Sequence, residues 1–518
     1  MNAVLIALLA LPLAGALATL SPRLLDGDRA LRFGVAVTGA ELALAIALAA
    51  GFDYHHAARM QAVTDADWIP AIGVRFHLGT DGVSLPLLVL TALLTFLCAL
   101  YSLRNLPAGP GRPGPRAFTG LLLLLECGML ATFATLDLLL FFVAFEVVLV
   151  PMYFLIARWG GENRGRAAFR FILYTMLGSA LMLLGFLLIG LHAGTFDITT
   201  LAARHGAGIP HTTQVLAVLS IGLGLAVKAP MFPLHSWLPD AHTAAPTVGS
   251  VLLAGVLLKM GTYGFVRILL PAAPDGMAAF APYLGAFAVA GILYGSLACL
   301  ALARRGAGGD LKRLIAFSSV GHMGFVLLGI ATLSPTGVNG ALYANIGHGL
   351  ITGLLFFLVG AVKDRYGSSD LDRLAGRTGA ALYGRAPRLG ALLGFGAVAS
   401  LGLPGLAGFW GELLAMLGSF HPAAGLSRST FLVFMVLAGL GTVLTAAYLL
   451  TVVRRVCMGD PAEPAPALAE RGGVLADVRG YEFASWTPLV VLTVLAGLWP
   501  AAILGLSNPA VKALLGAG

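Results

Sequence analysis

Apolar residues run along this chain in blocks of about 18 to 31, separated by short polar stretches. Fourteen blocks can be drawn, at 3–20, 31–51, 83–103, 117–136, 138–157, 167–191, 214–238, 244–269, 278–302, 311–333, 336–361, 389–419, 430–453 and 486–508. Each is long enough to cross a hydrocarbon core of roughly 30 Å. The blocks are continuous and do not alternate with period two, so they predict helices and not the strands of a barrel. The expected fold is an all-α polytopic membrane protein with about fourteen transmembrane helices. The first block has no basic stretch ahead of it, so it is expected to stay as a helix and not to be cleaved as a signal peptide.

Two blocks are interrupted. The seventh contains VKAPMFPLHSWLPDAH, in which Lys228 precedes Pro230 and Pro233. The twelfth contains ASLGLPGLAGFWGELLAM, where Pro404 and several glycines precede Glu412. Proline removes a backbone donor and crowds the preceding turn, so helices 7 and 12 are expected to be discontinuous. They are the fourth members of two successive five-helix blocks, helices 4–8 and 9–13. A repeat of odd helix number inserts in opposite orientation, which predicts inverted repeats with broken helices at matched positions, the architecture of an ion or solute translocator. The expected organisation is residues 1–116 as three N-terminal helices, 117–270 and 278–456 as the two repeats, and 457–518 as a cytoplasmic loop and last helix.

Only 11% of the 518 residues are charged, against about 25% in soluble domains, and 58% are hydrophobic. A soluble enzyme, a nucleic-acid-binding protein and a disulfide scaffold are thereby excluded. The net charge of +8 reports topology, because 24 of the 32 Lys and Arg fall in odd-numbered loops. They include Arg23, Arg29 and Arg32, Arg304, Arg305, Lys312 and Arg313, six between Lys363 and Arg388, and Arg454, Arg455, Arg471 and Arg479. Six others, Arg59, Arg75, Arg204, Arg267, Arg428 and Lys512, fall in even-numbered loops or the C-terminal tail. By the positive-inside rule the odd loops face the cytoplasm of a bacterial membrane and both termini face outward. Loops 363–388 and 454–485 carry no readable chemistry and are expected to be solvated faces or contacts to neighbours.

The last two basic residues, Lys228 and Lys259, lie inside helices although the chain has only five lysines. An ionised group near mid-bilayer costs at least about 2.5–3.5 kcal/mol and marks a functional candidate; a lysine snorkelling to the interface is the alternative. Glu146 lies mid-helix in LLLFFVAFEVVLVPMYFLI and would pair with Lys228 if the fifth and seventh helices touch; a neutral structural Glu is the alternative. His322 in LIAFSSVGHMGF and His348 in ALYANIGHGLITG suit a proton link between lysines, since imidazole exchanges protons near neutrality. A hydrogen bond across a helix interface, or a pair of haem ligands, would also explain them. Glu412 completes the titratable set, Glu126 is a possible accessory group, and Glu41 and Asp137 are weaker candidates. Cys98, Cys127, Cys299 and Cys457 are scattered without a CxxC, so no metal or iron–sulfur site is expected. Neither a Walker loop nor a dinucleotide fingerprint is present, so nothing here would hold FMN, NADH or ATP. Any energy source must come from a partner chain or an ion gradient.

The segments HLGTDGVSLPLLVLTALLTFL, FFVAFEVVLVPMYFLIARWGG, RAAFRFILYTMLGSALML, VKAPMFPLHSWLPDAHTAAPTVGSVLLAGVLLKMGTYG, LKRLIAFSSVGHMGF and LPGLAGFWGE together resemble the antiporter-like subunits of respiratory complex I. The DGVSLPL and FFVAFEVVLVPMY blocks point to the subunit M type, the counterpart of mitochondrial subunit 4. The resemblance spans about residues 75–455. It implies fourteen helices in two inverted repeats and a proton-translocating, non-redox subunit of NADH:quinone oxidoreductase. It also implies Glu146 and Lys228 as a modulating ion pair, Lys259 as the central channel lysine, and His322 and His348 continuing the path to Glu412. No cofactor is implied in this chain, FMN and iron–sulfur clusters being in partner subunits. The implied partners are other membrane-arm and peripheral-arm subunits, the bilayer and protons, and no nucleic acid. Arg170 stands where this family is expected to have Lys. The same blocks also suit a subunit of a multisubunit Na+/H+ antiporter, or of an energy-converting hydrogenase.

Overall fold

The computed structural model describes residues 1–21, 25, 27–109, 111–375, 380–459 and 476–516. Arg23, Arg377 and Arg471, counted above among the inner-loop charges, lie outside the described residues. The described residues are mostly helical, and twelve of the described helices are long and apolar enough to cross a membrane. In chain order they and their companions are α1 (Asn2–Ala18), α2 (Gly27–Ala50), α3 (Ser84–Ser102), α4 (Pro115–Ala134), α5 (Leu138–Trp159) and α6 (Arg164–Ala193). Then follow α7 in two halves (His211–Lys228 and Trp237–Ala244), α8 (Thr247–Ala272), α9 (Pro274–Leu302), α10 (Leu311–Ala331) and α11 (Pro335–Tyr366). The chain ends with α12 in two halves (Pro387–Ser400 and Ala407–Phe420), α13 (Arg428–Cys457), α14 (Gly480–Leu498) and α15 (Ala501–Leu514).

Both interruptions expected from proline are present. At the first, Pro230 and Pro233 cannot donate, and residues 229–236 turn without forming a helix. The indole of Trp237 closes the gap by donating to the freed Val227 carbonyl at 3.0 Å. At the second, Gly402 and Gly405 take φ of +75° and +92° on either side of Pro404, a left-handed backbone that only glycine adopts readily. The last block differs from expectation. It is not one span over 486–508 but α14 and α15 divided at Trp499, because Pro500 drives the residue before it out of the helical region.

Connections gather on two faces. The basic face carries residues 103–109, 111–114, 160–163, 303–310, 367–375 and 380–386, and the opposite face carries 194–210, 421–427 and a hairpin. That hairpin, β1 (Gln61–Ile69) with β2 (Val74–Thr80), was not anticipated from the sequence and turns at Gly73 with φ +69°. On the hairpin face Asp137 and Asp197 form a short antiparallel bridge, and on the basic face Asp310 and Asp370 form its counterpart with the same sequence separation. Each of these aspartates caps the helix that follows it.

The two loops without readable chemistry are tied down where they are described. Arg365 grips Glu482 through two hydrogen bonds of 2.8 and 2.7 Å, and Arg455 reaches Asp372 at 2.5 Å. Asp477 accepts from the backbone of Arg388 and Leu389 at the start of α12, and the surrounding amides hold its carboxyl below the usual range against the opposing effect of burial.

Candidate functional site

The central helices α8 and α11 are buried along their whole apolar windows. Within α8, residues 253–257 and 265–269 form π turns, in which the backbone hydrogen bonds lengthen to the fifth residue. The first leaves the Ala254 carbonyl aimed at the fully buried Lys259, which donates to it. Lys259 Nζ also meets His348 Nδ1 at 2.7 Å. Helices α8 and α11 can approach this closely because Gly255 and Gly349 face each other; a Cβ on Gly349 would lie 2.9 Å from the Gly255 carbonyl oxygen. One turn away, Thr262 donates to Asn345 across the same interface at 3.0 Å.

From His348 the line continues to His322 on α10, with ring centroids 5.7 Å apart. His322 Nδ1 lies 2.9 Å from Glu412 Oε1, and Nε2 lies 2.9 Å from Ser400 Oγ. Both ring nitrogens of His322 are thus held, one by a carboxyl and one by a hydroxyl group. A cavity of about 20 Å³ between His322, His348, Thr352 and Glu412 has room for about one water molecule. Small residues again set the distances. Cβ atoms on Gly340, Gly347, Gly411 and Gly418 would all fall within 2.7 Å of backbone atoms across the α11–α12 interface.

The structure thus joins Lys259, His348, His322 and Glu412 into one line, with the histidines in the reverse of the order expected from sequence. Lys228 and Glu146 form no direct ion pair. Lys228 Nζ and Glu146 Oε1 are buried without hydrogen-bond partners, and the ammonium sits 4.7 Å above the Phe145 ring. The two remain within electrostatic reach of each other. Glu126 is not part of the line; its buried carboxyl faces Glu41, with Thr95 beside it. Asp137 is a helix cap. Arg170 makes an ion pair with Asp240, which Arg313 also approaches at 3.3 Å.

Three buried basic side chains escaped the sequence. Lys312, counted as a loop residue, is buried and donates to the Ala245 carbonyl. His242 is fully buried, stacks on Phe356 at 4.4 Å, and lies in the electrostatic field of both Lys312 and Lys259. Its place in the LPDAH segment after the first break was the available signal. Arg267, also assigned to a loop, is 1% exposed within α8 and pairs with Asp81 of the DGVS segment at 2.5 Å. Its charge lay close to a predicted helix end, where an exposed position is the ordinary expectation.

Among the described residues no group of three or more His, Cys, Asp or Glu converges as a metal site. The nitrogens of His322 and Nδ1 of His348 are engaged with protein groups, which disfavours the haem-ligand reading.

Two broken helices and a buried line of titratable side chains define the class as an antiporter-like membrane subunit. Residues 135–445 match the family described as NADH:quinone oxidoreductase/Mrp antiporter, transmembrane. The chain belongs to that family, in its NADH–quinone oxidoreductase subunit M branch. Subunit M of Rickettsia prowazekii is 36% identical over 448 residues, covering 86% of this chain and 85% of that protein. A chain of respiratory complex I from Thermus thermophilus with bound NADH superposes with a TM-score of 0.82 at 31% identity, covering 99% of this chain and 100% of that one. A chain of an Mrp complex from Dietzia sp. shares the fold, with a TM-score of 0.81 at 23% identity over 99% of this chain and 97% of its own.

Proposed function

We propose that this chain is a proton-translocating, non-redox subunit of the membrane arm of complex I, working with other membrane-arm and peripheral-arm subunits. The flavin and iron–sulfur clusters reside in the peripheral-arm partners. The observation that carries the reading is the line Lys259–His348–His322–Glu412, in which every neighbour can give or take a proton. Such a line has no structural purpose that apolar residues would not serve better, since buried charges cost several kcal/mol each.

The basic face is the cytoplasmic one by the positive-inside rule, and both termini lie outside. Protons collect in a basin of about 790 Å³ on that face, between Arg166, Asp240, Asp310 and Lys363. Lys312 and His242 lead from there toward Lys259. The proton then passes through His348 and His322 to Glu412. Glu146 and Lys228 act as the modulating pair, through space and not by contact. Residues 117–270 and 278–456 form inverted repeats; the paired aspartate bridges on opposite faces and the two matched breaks support this.

The gradient-driven Na+/H+ antiporter is the second reading, kept because the Dietzia Mrp chain shares the fold. The subunit M relatives favour the first. To test it, the tagged chain is extracted in mild detergent and its eluate assayed for FMN and quinone-dependent NADH oxidation. Co-purification with a flavin-bearing NADH dehydrogenase is expected. Recovery with small membrane partners alone, without flavin, would establish the antiporter instead.

A further inference from the structure

We propose that Arg267, held by Asp81, is a fixed positive barrier that closes the hairpin-face end of the first half and keeps the Lys259 proton from leaking outward. The inference rests on the relay reading above. Lys259, Tyr263 and Arg267 follow at four-residue intervals and form one stripe of α8, so Arg267 stands about 12 Å from Lys259 along the axis toward the hairpin face. Beyond Arg267 lies a cavity of about 260 Å³ bounded by Asp81, Thr199, His205 and the end of α15. That cavity therefore comes within two to three helical turns of the central lysine, and Tyr263 and Arg267 lie between them on the stripe.

Neither residue can pass a proton on. Arg267 Nε donates to the Tyr263 hydroxyl at 3.1 Å, and that hydroxyl donates to the Phe133 carbonyl at 3.1 Å. An amide carbonyl does not protonate at working pH, so the chain of hydrogen bonds ends there. The guanidinium keeps its charge at any physiological pH and repels a second cation, as arginines do in proton-excluding pores. Asp81 holds it in place. Both side chains are 2% exposed, and Asp81 Oδ1 also accepts from the amides of Val83 and Ser84 at the start of α3. Sealed in this direction, the Lys259 proton has His348 as its neighbour.

The test uses the intact complex reconstituted in liposomes. Proton leak is measured under a potassium diffusion potential with electron transfer blocked, and NADH-driven acidification is measured separately. The double variant Asp81→Asn/Arg267→Gln removes the charge without leaving a lone buried ion. It is expected to raise the leak about tenfold with NADH oxidation retained. Adding Lys259→Met to that background should return the leak to its original value. Asp81→Asn alone, which keeps the guanidinium and still offers it an amide oxygen, should stay tight. A double variant as tight as the unsubstituted complex overturns the proposal, as does an Asp81→Asn variant that leaks equally, which would make the pair a structural tie only. If the double variant does not assemble, Arg267→His is used, and its leak is expected to rise at least about threefold from about pH 6 to about pH 8 as imidazole loses charge. A flat leak over that range overturns the proposal. Failure of the relay reading looks different: Lys259→Met alone would then pump fully.

Discussion

Gly411→Ala should uncouple this subunit without touching a titratable group. Its Cβ would lie 2.6 Å from the Cα and Cβ of Ala344 on α11, whereas ordinary contact begins at 3.4 Å. Backbone cannot give way as a flexible side chain can, so the second half of α12 must move by about 0.8 Å. Glu412 is the next residue. A displacement of that size along the bond takes its contact with His322 from 2.9 Å to about 3.7 Å, beyond hydrogen-bonding distance. Overpacking of this kind costs about 1–3 kcal/mol, which a large membrane complex can absorb while still assembling. The assay is acidification of inverted membrane vesicles divided by NADH oxidised, with assembly checked on a native gel. We expect a clearly lower proton yield per NADH in an assembled complex. An assembled Gly411→Ala complex with the original yield would refute the argument that small residues set the relay distances.

Other predictions follow from other parts of the molecule. Lys228→Met or Glu146→Gln should abolish coupled pumping, read in the same vesicle assay; full pumping in either variant would remove them from the mechanism. Glu482→Gln takes one member from a buried, doubly hydrogen-bonded pair and should cost about 3–5 kcal/mol, seen as a lowered melting temperature or lost assembly. On the hairpin face, burial would raise the Asp197 carboxyl, but hydrogen bonds from His77, Thr199 and Thr200 outweigh it and hold it below its ordinary 3.8. A depressed carboxylate contributes stability above its ordinary range and loses it only as pH falls through the lowered value. Hydrogen-exchange protection of residues 194–205 should therefore persist at pH values down to that range, and Asp197→Asn should weaken it at all pH values.

The spans were legible because the hydrocarbon core imposes a minimum apolar length, and that constraint acts on each segment alone. The breaks were legible for a similar reason, since Pro230, Pro233 and Pro404 act on their own helices. What the sequence did not disclose depends on approach between segments. Lys259 meets His348 because Gly255 lies against Gly349, and nothing in either segment names the other. Arg267 and Lys312 read as loop charges in the sequence, because a charge near a helix end is ordinarily solvated unless a partner such as Asp81 or the Ala245 carbonyl comes from elsewhere. The hairpin was not legible because the apolar residues of β1 do not alternate strictly with polar ones and form no long apolar block. Whether Glu146 touches Lys228 was not legible either, since two opposite charges on neighbouring helices need not meet.

The π turns of α8 make the number of residues in that helix a functional quantity. Each accommodates a residue that a regular α-helix of the same rise would not hold. Deleting one residue from 253–257 would restore regular hydrogen bonding and withdraw the carbonyl that Lys259 now uses. The turns on either side of the cut would keep their phase, so Lys259 would still face α11 but without that acceptor. A single-residue gap in this stretch among relatives is therefore a change of mechanism, and a length-preserving substitution there is the milder event.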